Sequence, residues 1–377
     1  MTAVRGALRA SMLLRSVALV VVVGVVLLLV TESLSSYRNL QLADGAYYFC
    51  VLAGLTVLAG SSGQISLGHG AFMAVGAYTV AKLGNAGWAL LPELVAAVVV
   101  TLVVGIPVGM AASRLRGPYL AGATLAFAVG LPALADKFPS FLGGENGLSI
   151  NPPVPPSSLG ASFPLERWEA WIACAGALVT LFVFYNVIHS SIGRSFRAVR
   201  DDEIAASLVG LRVGRRQTLA FALSAAAAGL GGGLLAVVTQ LAQPGAFPLQ
   251  LSLTLLAGVV IGGLGSLWGA VWGAALLVLL PNWTNDIANS FSLSTSVSHN
   301  LPIAVYGLVL IGAMLLWPSG IQGGVRAAVA AVRPRVAGRA GRGRPAAVSE
   351  AGAGESPVPV SSDQAASDEA AKTPSER

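Results

Sequence analysis

Residues 94–113 read Leu94-Val95-Ala96-Ala97-Val98-Val99-Val100-Thr101-Leu102-Val103-Val104-Gly105-Ile106-Pro107-Val108-Gly109-Met110-Ala111-Ala112-Ser113, with no Asp, Glu, Lys or Arg. A helix of about 20 apolar residues is what the roughly 30 Å hydrocarbon core of a bilayer requires. Other runs of the same kind cover 46–81, 117–135, 170–193, 217–285 and 287–325. The whole chain follows suit. Of its 377 residues, 55% are hydrophobic and 11% charged, and mean hydropathy is +0.73. A soluble domain carries about a quarter charged residues, so this composition excludes a water-facing surface of ordinary size.

The expected fold is all-α: a polytopic membrane bundle of about ten helices (eight to ten), in two pseudo-related halves with Gly-broken segments. Spans are expected near 16–33, 46–61, 65–83, 89–113, 117–135, 168–189, 217–240, 250–263, 267–281 and 301–317. The 250–281 pair reads either as two short crossings or as a re-entrant hairpin. Arg5, Arg9 and Arg15 precede the apolar run from Ser16 to Val30. That pattern resembles a signal peptide, but no small-x-small cleavage site follows, so a retained first helix is expected. Between 136 and 167 lies a polar segment containing Pro152-Pro153-Val154-Pro155-Pro156, which cannot sit in lipid because its backbone lacks internal partners.

Charge sets the expected orientation. With the N-terminus inside, the inside segments 1–16, 113–117, 190–216 and 318–377 hold 19 of the 23 basic residues, leaving Arg38, Lys82, Lys137 and Arg167 outside. Acidic residues divide almost evenly. A bias confined to Lys and Arg is the positive-inside signature, and it puts both termini in the cytoplasm. The net charge of +6 is thereby explained without nucleic acid. The expected organisation is a basic N-terminus at 1–15, a membrane domain at 16–317 with a large cytoplasmic loop at 190–216, and a basic, then disordered, tail at 318–377. Six arginines between Arg326 and Arg344 suit anionic headgroups.

Ionisable groups in a span cost about 2.5–3.5 kcal/mol each at its centre and usually mark ion or proton pathways. The uncharged spans here speak against such coupling. A phosphate loop is also missing, because the one Lys-Thr pair, Lys372-Thr373, lies in the tail. Cys50 and Cys174 read as buried apolar residues, and three histidines are too scattered for a metal or catalytic cluster. An enzyme is therefore not expected, and neither is a cofactor in this chain.

Two motifs carry the function. In 193–211, Arg200-Asp201-Asp202-Glu203 precedes Ile204-Ala205-Ala206-Ser207-Leu208-Val209-Gly210. Asp201 or Asp202 suits an N-cap and Gly210 a C-terminal stop, which predicts a helix of about two turns. Upstream, Gly63-Gln64-Ile65-Ser66-Leu67-Gly68-His69-Gly70-Ala71-Phe72 places three glycines in eight residues. Each weakens a helix by about 1 kcal/mol, so a broken helix carrying polar groups is expected. Gly262-Gly263-Leu264-Gly265-Ser266 repeats the theme in the second half. Gly258, Gly262, Gly265, Gly269 and Gly273 recur every three or four residues, as close helix packing requires.

These strings resemble the branched-chain amino-acid ABC importer permeases of the LivM type. The match runs through Phe196–Gly233, the Gly63–Phe72 string with Gly76-Ala77-Tyr78, and Gly143-Gly144-Glu145-Asn146-Gly147-Leu148 after Thr124-Leu125-Ala126-Phe127. It covers roughly 45–317. The resemblance implies a coupling helix that docks on a separate ATPase, with Arg200, Asp201, Asp202, Glu203, Ala205, Ala206 and Gly210 as coupling residues. Gln217 departs from the family, which commonly has Lys there, although Arg215 and Arg216 lie nearby. It also implies a second, similar permease, two ATPase subunits that hold the ATP, an extracytoplasmic binding protein, and a bacterial cytoplasmic membrane. Gly63, Gln64, Ser66, Gly68, His69 and Gly70 are candidates for the substrate path. Branched-chain and other hydrophobic amino acids are the implied cargo. Urea or short amides, and a stand-alone carrier or channel, are the alternatives.

Overall fold

The computed structural model describes residues 2–115, 117–160, 163–290 and 320–332, with isolated positions at 305, 307, 308, 311 and 312. Helices dominate throughout. They are α1 (Thr2–Ser33), α2 (Ser36–Leu55), α3 (His69–Asn85), α4 (Leu90–Ala112), α5 (Pro118–Lys137) and α6 (Pro139–Leu142). Then follow α7 (Leu165–His189), α8 (Ser191–Asp201), α9 (Glu203–Leu208), α10 (Val213–Thr239), α11 (Leu249–Gly262), α12 (Leu267–Ser290) and α13 (Gly320–Val332). A π-helical turn, Thr56–Ser61, continues α2. The only strands among the described residues are β1 (Leu148–Ser149) and β2 (Leu241–Ala242), paired antiparallel with Leu148 opposite Ala242.

Seven described helices are long and apolar enough to cross a membrane, or eight if α5 and the segment bent 90° from it count as one span. The chain is thus a polytopic helical membrane protein, but the described residues do not support a count of about ten. The expected span at 65–83 is shorter, because Gly63–Gly68 stay outside any helix and α3 starts only at His69, leaving 17 residues. The expected span at 117–135 turns sharply at Pro139. The one at 301–317 lies outside the described residues, apart from isolated positions. Pro244–Gly262 and Leu267–Thr284, 19 and 18 residues long, each reach spanning length. The basic N-terminus is helical and continuous with α1.

At the centre of the bundle stands α10, with 83% of its apolar window buried, against 6% for α1 at the margin. Its Ala- and Gly-rich sequence explains this position. A Cβ on Gly232 would collide with the Met73 carbonyl, and one on Gly76 with the Gly229 carbonyl. The α3 and α10 backbones therefore touch, an approach that only such small residues allow. The same device joins α11 to α12, where Gly258 faces Gly273 and Gly262 faces Gly269. Close packing is thus what those spaced glycines do.

Candidate functional site

The π-helical turn at Thr56–Ser61 ends α2, and Gly63 with φ +73° turns the chain away from the helix axis. Left-handed backbone of this kind favours glycine. The freed segment then returns into the bundle, and its polar side chains find partners there. Gln64 Nε2 donates to Ser62 Oγ at 2.8 Å and to the Gln217 carbonyl on α10 at 3.1 Å. The Leu67 amide donates to Thr124 Oγ1 on α5 at 3.0 Å, and the Gly70 amide to Ser252 Oγ on α11 at 2.9 Å. His69 is fully buried between two hydroxyls, with Nε2 2.7 Å from Ser224 Oγ on α10 and Nδ1 3.2 Å from Ser66 Oγ. A neutral imidazole donates at one nitrogen and accepts at the other, and a hydroxyl can answer either role.

One broken helix is therefore pinned to α5, α10 and α11 at once. Ser66 and His69 meet each other while Gln64 bonds instead to Ser62 and to α10, and the side chains of all three are buried within the protein rather than open to solvent. Phe72 completes the hub, with ring centroids 4.9 Å from Phe127 and 5.8 Å from Phe221. Thr124, Gln217, Ser224 and Ser252 are partners that the sequence did not point to.

The 190–216 loop forms two helices, α8 and α9, where one was expected. Within α8, Gly193, Ser195, Phe196 and Val199 are buried, a helical spacing that could have revealed it. Asp202 caps α9, accepting from the Ile204 amide at 2.8 Å and the Ala205 amide at 3.0 Å. Gly210, at φ +83°, ends it, and the Leu211 amide returns to the Ala206 carbonyl at 3.0 Å. Ala206 faces inward, while Ile204, Leu208 and Val209 are 74%, 82% and 77% exposed.

The loop is tied directly to the helix break. Arg200 Nη1 donates to the Gly60 carbonyl at 2.6 Å, and its side chain lies against Gly63. The same guanidinium holds Asp201 Oδ1 at 2.7 and 2.9 Å. Glu203 Oε1 accepts from Gln217 Nε2 at 2.8 Å, and the Gln217 carbonyl is the one that receives Gln64. Gln217 is thus the joint between loop and break. The second Gly-rich break reaches the same place, since a Cβ on Gly60 would strike the Gly265 backbone. Arg200, Asp201, Asp202 and Glu203 accordingly face the chain's own structure with at least one group each. The exposed apolar side chains of α9 do not.

Comparison with known proteins adds an independent line. Residues 40–317 match the family described as branched-chain amino acid transport system / permease component. The LivM high-affinity branched-chain amino acid transport system permease protein of Salmonella typhimurium is 32% identical over 302 residues, covering 73% of this chain and 67% of that protein. The Escherichia coli K12 LivM protein is similar to the same extent. The LivH permease protein of Escherichia coli K12 is 26% identical over 300 residues, covering 74% of this chain and 92% of its own length. No solved structure matches.

Proposed function

The chain belongs to the branched-chain amino acid transport permease family, and from that premise we propose that it is the membrane subunit of an ATP-binding cassette importer. Its cargo is branched-chain or other hydrophobic amino acids. It works with a homologous second permease, two ATPase subunits that carry the ATP, and an extracytoplasmic binding protein. Similarity to both LivM and LivH, each named a permease protein, supports a paired arrangement. The assembly sits in the bacterial cytoplasmic membrane, and the placement of basic residues supports both termini on the cytoplasmic side.

The observation that carries this reading is the two-sided character of the α8–α9 loop. One side offers Ile204, Leu208 and Val209 to a partner. The other side holds the helix break through Arg200–Gly60 and through Glu203–Gln217–Gln64. An ATPase that moves α9 would therefore move the break, and through it α5, α10 and α11. In this reading Gly63, Gln64, Ser66, Gly68, His69 and Gly70 act on the substrate path by shifting position, because the side chains of Gln64, Ser66 and His69 are buried and bonded within the protein, Gln64 through Nε2 alone. The membrane domain extends over 16–317.

Leu208→Asp places a charge on the exposed apolar face of α9 without touching the internal ties. The ATPase subunits should no longer co-purify with the variant, while the chain reaches the membrane in normal amount. Equal recovery of the ATPases with Leu208→Asp would contradict docking through α9.

A further inference from the structure

A groove of about 420 Å³ runs between α1, α2, α7 and α12. Helices α2 and α7 pack on each other beneath it. On one side α1 stands against α7, where Leu178 meets Gly24, and on the other α12 stands against α2, where Leu52 meets Gly273. One end of this frame is fixed by hydrogen bonds. Trp171 Nε1 donates to Thr31 Oγ1 at 2.9 Å, Asn39 Nδ2 to the Thr31 carbonyl at 3.3 Å, and Tyr37 Oη to Asn282 Oδ1 at 3.3 Å. The walls are apolar, with Leu27, Phe49, Ala177 and Val271 among them. At the tied end stands Arg38, exposed and in the first turn of α2, and no acidic side chain lines the groove with it among the described residues.

The lining residues run from Val23 to Leu34 along α1 and from Arg38 to Phe49 along α2. At 1.5 Å per residue each stretch is about 17 Å long, close to the roughly 15 Å of hydrocarbon in one leaflet of a bilayer. Gly45 belongs to the wall in mid-helix, and a Cβ there would meet nothing within 4 Å. Glycine weakens a helix, and no close packing accounts for this one; what it leaves is room in the groove. We propose that the groove binds an anionic phospholipid, with one acyl chain along Gly45 and Phe49 and the headgroup phosphate on the Arg38 guanidinium. The acyl chain gains little over the surrounding bilayer, which is equally apolar, so selection rests on the charge at Arg38. An apolar helix of a partner would cover the walls without answering that charge. The site depends on the membrane location of the chain and on neither its cargo nor its energy source.

The full-length chain in lipid nanodiscs tests the site. The discs are doped with phosphatidylglycerol or phosphatidylcholine carrying a diazirine at one acyl terminus, and crosslinked peptides are mapped by mass spectrometry. Crosslinks should appear at the deep end of the groove, around Phe49. Phosphatidylglycerol should label that region about fivefold more than phosphatidylcholine, the ratio expected for one basic residue near an anionic headgroup. Arg38→Gln should remove the preference, and Arg38→Lys should keep most of it. Gly45→Leu fills the groove and should reduce labelling by both lipids. Because Arg38 is exposed, its variants decide the matter even if Gly45→Leu does not fold. Equal labelling by the two lipids, a preference unchanged in Arg38→Gln, or labelling unchanged in a folded Gly45→Leu would overturn the proposal. So would loss of the labelling when a partner permease is present, which would make the groove an interface between subunits.

Discussion

Arg200 and His69 do different work within a few ångströms of the same break. The Arg200 ion pair with Asp201 is largely solvent-exposed and contributes little to stability. Its bond to the Gly60 carbonyl is the consequential one, because it crosses 140 positions of sequence to reach the end of α2. Arg200→Ala should therefore leave the ATPases attached yet reduce amino-acid uptake per ATP hydrolysed, measured in proteoliposomes. An unchanged ratio would show that the contact transmits nothing. His69 is a packing and hydrogen-bonding centre. His69→Ala removes a fully buried ring and leaves Ser66 and Ser224 without their partner, at a cost of about 2–4 kcal/mol. The thermal midpoint of the purified chain should fall accordingly.

Among the elements, α9 is short enough for its caps to decide whether it forms. Asp202→Ala should cost about 1 kcal/mol of helix stability, seen as faster amide hydrogen exchange over 204–209, and Asp202→Ser should restore most of it. This helix was legible in the sequence, because Asp202 and Gly210 act on their near neighbours. The helix before it was missed, since basic residues interrupt the apolar positions Phe196 and Val199. The break at Gly63–Gly68 was legible as a weak helix, but its partners were not. Ser224 and Ser252 lie 155 and 182 positions from the residues they bond, and no local pattern reports such distances. Hydropathy found the apolar stretch at 65–83 but not its late start at His69.

At the scale of the whole molecule, composition reveals the membrane and the charge pattern suggests an orientation, while the order of burial emerges only from packing. Hydropathy alone would misplace them, since α1 at the margin is the more apolar and α10 at the centre the less. What marks α10 is the row of small residues from Ala225 to Gly233, legible in hindsight as a surface for several backbones. Glu93 escaped notice for a related reason. It sits at the end of an expected span, where a carboxylate looks solvated, and only the fold encloses it. The arrangement as a whole places a helix with exposed apolar side chains and a pinned helix break at one end, and the buried Glu93 at the other. Its central claim is that force applied at α9 moves the break. Leucine uptake into proteoliposomes holding the chain, its partner permease, the ATPases and the binding protein tests this most directly. Uptake should require ATP and be lost in Leu208→Asp at equal protein content. Uptake that continues without ATP, or that is unchanged in Leu208→Asp, would contradict it.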